Sequence, residues 1–489
     1  MKRRGKIIKW SLILLSAIYL LLLIPDSTNT SPVVLAGEKA FAWNRDGQWQ
    51  QMEKLFRDAK KQQSATVDSN IRSLKLIAES KLSLLEGGHK LPTDSNWTIA
   101  ENNFFSLAAL VATRESELPW LTDYYNKLRN LLKEQSRDWQ MGETEVRNIF
   151  YELAYGMRGA VEEVLLQADS TIISPAMMVN TERSLTPSAH IFGIEVHSGD
   201  ILVSRGGAEV SALISRGNDH PGNFSHVALL YVDEITNQPF LIEAHIERGV
   251  AVSSVEQYEQ DKKLRFMVLR LRADLPAMVA DPALPQKAAK AMYEKALGKH
   301  IPYDFKMNFH DSTAMFCSEV VSYAYGKKGI SLWQTSSTIS SKGVVDWLQA
   351  FGVENFVTQM PSDLEYDPQL TIVAEWRSPA TLFKDHIDNA VMDALLEKAN
   401  KGEAIGYNLW KLPIVRVVKG YCMLKNLFGS TGIIPEGMSA TQALKNESFV
   451  AMHVNLKKKT EKLADDFIKQ NGYRPPYWQL VKFAEMGSE

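Results

Sequence analysis

Between residues 200 and 271 the sequence breaks into five short runs of strand-forming residues, and no other feature constrains the fold as much. The runs are Asp200–Ser204, His226–Val232, Phe240–His245, Val250–Ser253 and Phe266–Leu271. Turn-forming clusters such as Asn237-Gln238-Pro239 and Glu247-Arg248-Gly249 separate them. Short strands joined by short turns point to an antiparallel meander, because parallel neighbours need long crossovers. On either side the apolar spacing changes to the helical period. From about Phe41 to Ala168, Trp49, Met52, Leu55 and Phe56 recur at helix spacing, as do Leu74, Ile77, Leu82 and Leu85. Gly87-Gly88 through Ser95 interrupts that pattern and predicts a joint between two helical hairpins. Trp43, Trp49, Trp120 and Trp139 are expected as core anchors. After Pro379 the chain turns helical again, with Leu395, Leu396 and Ala399 in one stretch and Leu456–Ile468 in another. The expected class is α+β. Residues 1–36 form an N-terminal segment and tether, 37–183 a helical region, 184–375 the sheet-bearing core, and 376–489 a helical tail.

Composition limits what such a chain does. With 489 residues, 45% of them hydrophobic, there is material for two or three cores. A net charge of -2 gives no basic face of the kind nucleic acid requires. The only cysteines are Cys317 and Cys422, too few for a disulfide scaffold, and no CxxC pattern exists. Cys317 is expected as a free thiol. There is no HExxH pattern, no clustered acidic loop and no Walker or dinucleotide glycine motif, so neither metal nor cofactor is expected. Nothing in the pattern fixes an oligomeric state.

The amino terminus carries an address. Lys2, Arg3, Arg4, Lys6 and Lys9 precede an apolar run from Trp10 to Ile24, closed by Pro25. A basic flank before an apolar stretch is the pattern of a secretory signal or a signal anchor. The run is short for a span, though Ile7 and Ile8 extend it with Lys9 snorkelling. Val34-Leu35-Ala36 offers a cleavage site, so anchored and cleaved forms both stay open. In either form the basic end is expected to stay cytoplasmic and the remainder to lie across the membrane.

Chemistry concentrates around Cys317. Phe316, Val320, Tyr323 and Ala324 follow the helical period, and Asp311, Ser312 and Thr313 are N-cap candidates. Cys317 then falls in or beside a first helical turn. Unpaired N–H groups and the helix dipole there favour a thiolate and an oxyanion. A base is needed within reach. His226 opens an apolar strand behind Gly222. If the following hairpin turns at Ile235–Thr236, His226 lies opposite a residue between 243 and 245. Glu243 and His245 then share its side of the sheet. Either could orient the imidazole, and Glu243 suits the task better because a carboxylate fixes the tautomer and supports the imidazolium. Asp219 and His220 lie in a polar loop and are expected to be solvated; His310 is a weaker base candidate. The stretch from Gly206 to Asn223 exceeds a hairpin connection and is expected to form a lid or substrate arm.

Four pieces in order carry a family resemblance: Ser198-Gly199-Asp200-Ile201-Leu202, Ser225-His226-Val227-Ala228, Ile242-Glu243-Ala244, and Tyr303-Asp304-Phe305 leading into Phe316-Cys317-Ser318-Glu319-Val320-Val321. Together they resemble the permuted papain-like hydrolases, the YiiX/YaeF-like branch of the NlpC/P60 superfamily, in which the His strand precedes the Cys. Pro361-Ser362-Asp363-Leu364 followed by Leu370–Ala374 resembles that family's closing segment. The resemblance implies Cys317 as nucleophile, His226 as base and Glu243 as its orienting partner, with Tyr303, Asp304 and Asp200 near the substrate cleft. It also implies amide hydrolysis through an acyl-enzyme. Combined with export, it points to a cell-envelope substrate such as a peptidoglycan peptide bond. Two other readings stay open: a hydrolase or acyltransferase of lipid or acyl esters at the membrane, and a tethered binding or scaffold protein with an inactive core.

Overall fold

A computed structural model describes residues 2–26, 46–428, 430 and 432–488. Trp43, the tether beyond Asp26 and the Val34-Leu35-Ala36 sequence fall outside the described residues. Helix α1 (Lys2–Leu22) is followed by a bundle of α2 (Asp46–Ala59), α3 (Ser64–Glu86), α4 (Ser95–Val111), α5 (Leu118–Gln135) and α6 (Thr144–Gln167). Asp94 caps α4 by accepting the Asn96 N–H, which stops α3 and α4 from merging across the Gly87-Gly88 break. Trp49, Trp97 and Trp139 are buried in the bundle core, with Trp120 packed at its edge.

The sheet-bearing core follows. Its elements are β1 (Ala176–Met178), β2 (Ser188–Ile191), β3 (Ile194–His197), β4 (Ile201–Gly206), α7 (Glu209–Arg216), β5 (His226–Val232), β6 (Pro239–His245), β7 (Gly249–Ser254), α8 (Val255–Gln260), β8 (Lys263–Leu271), α9 (Pro276–Ala280), α10 (Leu284–Gly298), α11 (Cys317–Gly326), β9 (Ser337–Thr338), α12 (Lys342–Ala350), β10 (Val357–Thr358), α13 (Asp363–Tyr366) and β11 (Leu370–Trp376). The main sheet runs β1-β11-β8-β4-β5-β6-β7 with antiparallel neighbours throughout. Strands β4 to β7 form the expected meander. Strand β8 leaves it, crossing back to pair with β4 instead of lining up beside β7. The reason is burial: all nine residues of β8 are buried, a state an edge strand does not reach.

Four further α-helices follow among the described residues: α14 (Pro379–Asn400), α15 (Leu412–Leu427), α16 (Ala440–Asn471) and α17 (Tyr477–Ser488). Ser378 and Ser439 start α14 and α16 with capping boxes, and Gly472 ends α16 in the left-handed conformation at φ 69°. The long stretch between β4 and β5 is not a free arm. Its helix α7 packs on α14, with Ala212 and Leu213 buried against Val391 and Leu395 in one cluster.

Buried ion pairs join the helical flanks to the sheet. Arg129 on α5 meets Glu375 on β11 at 2.5 Å, and Arg158 on α6 pairs with Glu365 and Glu375. Arg265 on β8 contacts Glu162 on α6 and Asp385 on α14, each at 2.6 Å. At the amino terminus, no helix among the described residues is long and apolar enough to cross a membrane. The end of α1 rests on the start of α15: Tyr19 Oη donates to the Trp410 carbonyl at 3.1 Å, and Arg416 pairs with Asp26 at 2.7 Å.

Candidate active site

Cys317 is the first residue of α11, and Phe316 is its N-cap. The cap is not the Asp311–Thr313 cluster that the sequence suggested. Those residues close a separate turn in which Asp311 accepts the Thr313 N–H and hydroxyl. Instead, the Glu319 carboxyl group reaches back one turn and an oxygen of it accepts the Phe316 N–H at 2.8 Å. This leaves the N–H groups of Cys317 and Ser318 at the open end of the helix, where no intrahelical acceptor exists. Burial pushes the Glu319 carboxyl up to about 9, so it adds no negative charge beside the thiol at neutral pH.

The thiol is placed against strand β5. Its Sγ lies 4.0 Å from the Ser225 carbonyl oxygen, and the Val227 N–H points to it from the other side of His226. Cys317 therefore touches the peptide groups on both flanks of His226. No hydrogen bond joins Sγ to the imidazole. The expected thiolate is also absent: burial, with Cys317 only 5% exposed, pushes the thiol up to about 11. The Val227 N–H and the Ser318 hydroxyl and N–H pull the other way without offsetting the burial. A helix N-terminus lowers a thiol pKa, but at this site desolvation of the charged form is the larger effect.

The hairpin register supplies the partners. Ala228 lies opposite Glu243, so His226, Glu243 and His245 line one side of the sheet. Glu243 Oε2 accepts from His226 Nε2 at 2.8 Å, and its Oε1 lies 3.2 Å from His245 Nε2. One buried carboxylate thus serves both imidazoles. Burial alone would raise Glu243, but the hydrogen bonds from His226 and His245 outweigh it and hold the carboxyl well below its usual range. Desolvation lowers His226, against the pull of Glu243, so its ring is neutral near pH 7. Because Glu243 occupies Nε2, the Nδ1 of His226 is the nitrogen with no partner. His245 is tied further outward, with Arg248 Nη2 at 3.0 Å.

The segment ahead of Cys317 is built as a wall. Met315 N–H donates to Pro302 O at 3.0 Å and Asp304 N–H to Met315 O at 3.2 Å, fixing Tyr303 beside the start of α11. Val250 N–H donates to Ile301 O at 2.9 Å, and Gly249, at φ 71°, has no room for a Cβ, which would sit 2.1 Å from that oxygen. Burial, with Cys317 and Asp304 close by, raises the Tyr303 phenol well above its usual range. Asp304 shapes the loop by accepting the N–H groups of Lys306 and Asn308, at 2.8 and 2.6 Å.

Asp200 is not in the cleft. It is 1% exposed, forms two 2.7 Å hydrogen bonds with the Arg270 guanidinium and accepts the His197 N–H, so it secures β4 to β8. Asp219 and His220 are likewise not solvated: Asp219 accepts from Thr338 and Ser340, and His220 Nε2 lies 2.9 Å from Asn148 Oδ1. His310 is exposed and its ring packs at a tilt against Phe309. The sequence reading missed the role of Ser362. Its Oγ accepts the Phe224 N–H at 3.1 Å and donates to the Phe224 carbonyl at 3.2 Å, clamping the approach to His226. The position of Ser362 in the Pro-Ser-Asp-Leu segment was visible; its target, 138 residues away, was not.

The family described as permuted papain-like amidase enzyme, YaeF/YiiX, C92 family, matches residues 195–374. Among solved structures, the chain is similar to the crystal structure described as metalloprotein yiiX from Escherichia coli O157:H7. The identity is 21% and the TM-score 0.30, over 37% of this chain and 97% of that one. No curated protein sequence matches. The sheet with its opening histidine, the helix begun by cysteine and the family match together make residues 195–374 a permuted papain-like cysteine hydrolase domain of the YaeF/YiiX, C92 family.

Proposed function

We propose that this domain cleaves an amide bond through an acyl-enzyme on Cys317, with His226 as its base and Glu243 as the residue that positions His226. The supporting observation is the contact of Sγ with both peptide groups flanking His226 while Glu243 holds Nε2. Since the resting thiol is neutral, its proton leaves during attack rather than before it. Sγ–H gives its proton to His226 Nδ1 as sulfur bonds to the carbonyl carbon, and the negative charge moves to the carbonyl oxygen. In this reading the N–H groups of Cys317 and Ser318 receive that oxyanion. The imidazolium, steadied by Glu243, then protonates the leaving amine as the C–N bond breaks. Water, deprotonated by the same imidazole, releases the acid from the thioester.

The substrate we assign is a cell-envelope amide, met outside the cytoplasm by a chain that the N-terminal basic and apolar segment exports or anchors. The test is turnover of purified peptidoglycan peptides by the whole chain and by Cys317→Ala. Mass-spectrometric detection of an acyl adduct on Cys317 is expected in the first case only, and equal turnover by the two proteins would remove Cys317 from the mechanism. A second reading, acyl-ester cleavage at a membrane, is favoured by the apolar side chains that α1 exposes, among them Trp10, Leu14 and Leu21 at 61–69%. Lipid extract and peptidoglycan peptides compared side by side separate the two.

A further inference from the structure

Helix α15 is apolar on both sides. Its inner side buries Cys422 against Ile434 and Met438, with Phe305 packed on that cluster. Its outer side carries Ile414, Val417, Tyr421, Leu424 and, just beyond its end, Phe428, exposed by 65%, 67%, 62%, 52% and 81%. Their steps of three and four residues draw one stripe along the helix. Soluble monomers rarely leave so continuous an apolar stripe facing water.

The charges around the stripe narrow what covers it. Within Leu412–Leu427 the only charged residues are Arg416, Lys419 and Lys425, and none is acidic. Asp26 answers Arg416, whereas Lys419 donates to the main-chain carbonyls of Pro435 and Glu436, and among the described residues no carboxylate pairs with Lys425. A second copy packed two-fold on this face would set these cations against themselves. An anionic lipid surface would not: it accepts apolar side chains, takes basic residues at headgroup level and favours Trp and Tyr at the boundary. Trp410 (66% exposed) and Tyr19 meet at that boundary, where the end of α1 touches the start of α15.

We propose that α15 is a membrane-docking helix, which lays the Ile414–Phe428 stripe into an anionic lipid surface beside α1. The inner side of α15 connects this surface to the candidate active site. Phe305 packs where Gly437 leaves room, since a Cβ there would sit 2.6 Å from the ring. The Phe305 ring lies 5.0 Å from that of Tyr303, whose phenol is near enough to Cys317 to feel its charge. One helix, about 10–12 Å thick with its side chains, separates the lipid surface from the loop that walls the thiol. The docking rests on exposure and charge alone and does not require the hydrolase reading; it would give that site a substrate presented at a membrane face.

The test uses the full chain with phosphatidylglycerol-containing vesicles, read by amide hydrogen exchange of residues 412–427 and by flotation. Vesicles are expected to slow exchange in this segment, and 0.5 M salt or neutral phosphatidylcholine to weaken the effect. The double variant Val417→Glu/Leu424→Glu is expected to partition about tenfold more weakly while Cys317 alkylation stays unchanged, which reports an intact fold. Flotation without any change in exchange over 412–427 would overturn the proposal, leaving α1 as the sole contact. Concentration-dependent protection without lipid would also overturn it, assigning the stripe to a second copy. Cys317→Ala protein is expected to dock normally, so loss of hydrolysis and loss of docking are told apart.

Discussion

Glu243 takes the Nε2 of His226 at 2.8 Å, and that hydrogen bond decides which imidazole nitrogen is left without a partner. Nδ1 remains, on a residue whose two flanking peptide groups both touch the Cys317 sulfur. The same carboxylate lies 3.2 Å from His245, so the two histidines are partners of one acid rather than alternatives to it.

Replacing Glu243 with Gln keeps the shape of the site and removes its fixed anion. Steady-state kinetics on an amide substrate are expected to give a kcat lower by about 10²–10⁴ with a smaller change in KM. His245→Gln, which leaves the His226–Glu243 bond in place, is expected to stay within about tenfold of the parent. The reverse ranking would transfer the positioning role to His245.

Burial holds the Cys317 thiol up at about 11. In a Cys422→Ser background, iodoacetamide alkylation of Cys317 is expected to rise steadily from pH 7 to beyond pH 9, since the thiolate is the reactive form. A plateau below pH 8 would contradict the neutral resting thiol. On the proposed mechanism, in which the histidine acts in the attack step and does not hold a thiolate, His226→Ala is expected to leave this pH profile in place while abolishing turnover.

Both His226 and Glu243 bind protons less readily in the folded chain than in an unfolded one. Their contribution to stability is therefore complete above about pH 6.5. It declines as acid protonates first His226 and then, below the usual carboxyl range near pH 4, Glu243. Urea midpoints at pH 7, 5 and 3 check the sign: the parent is expected to lose more stability on acidification than Glu243→Gln.

Gly222 has no space for a methyl group, since its Cβ would lie 2.0 Å from Ser362 Oγ. Gly222→Ala is expected to cost about 1–3 kcal/mol of unfolding free energy through overpacking and to lower turnover by moving the approach to His226. Adding Ser362→Gly, which removes the obstructing atoms, is expected to restore part of both. Failure of the pair to recover either property would place the effect elsewhere.

Glu375 sits 2% exposed between Arg129, Arg158 and Arg377. Its replacement by Gln strands buried guanidinium charge and is expected to cost about 3–5 kcal/mol, as measured by denaturant unfolding. The helical flank and the sheet are expected to unfold in one transition, since this network ties α5 and α6 to β11.

The strand runs, the helix that starts at Cys317 and the His226–Glu243 pairing were legible because each depends on local periodicity or on a hairpin a few residues long. His226–Val232 spans β5 as it was read from the sequence. The crossing of β8 to β4, the burial of Asp219 and His220, and the removal of Asp200 to Arg270 were not legible. Each is fixed by a partner far away in sequence: Asp200 and Arg270 are 70 residues apart, Ser362 and Phe224 138. The N-cap of α11 was misread for a related reason. Asp311, Ser312 and Thr313 are good caps locally, yet the Pro302–Asp304 pairing with Met315 holds the chain extended up to Phe316.

Cys317 illustrates the division between sequence and fold. The sequence alone determined that a cysteine begins a helix and that a histidine and a glutamate face each other across a hairpin. Only the tertiary structure decided the protonation of that thiol. Its position on the helix favours the anion, but the close packing of β5 and the Tyr303 wall excludes water from it, and desolvation of a charge outweighs the pull of a few N–H dipoles.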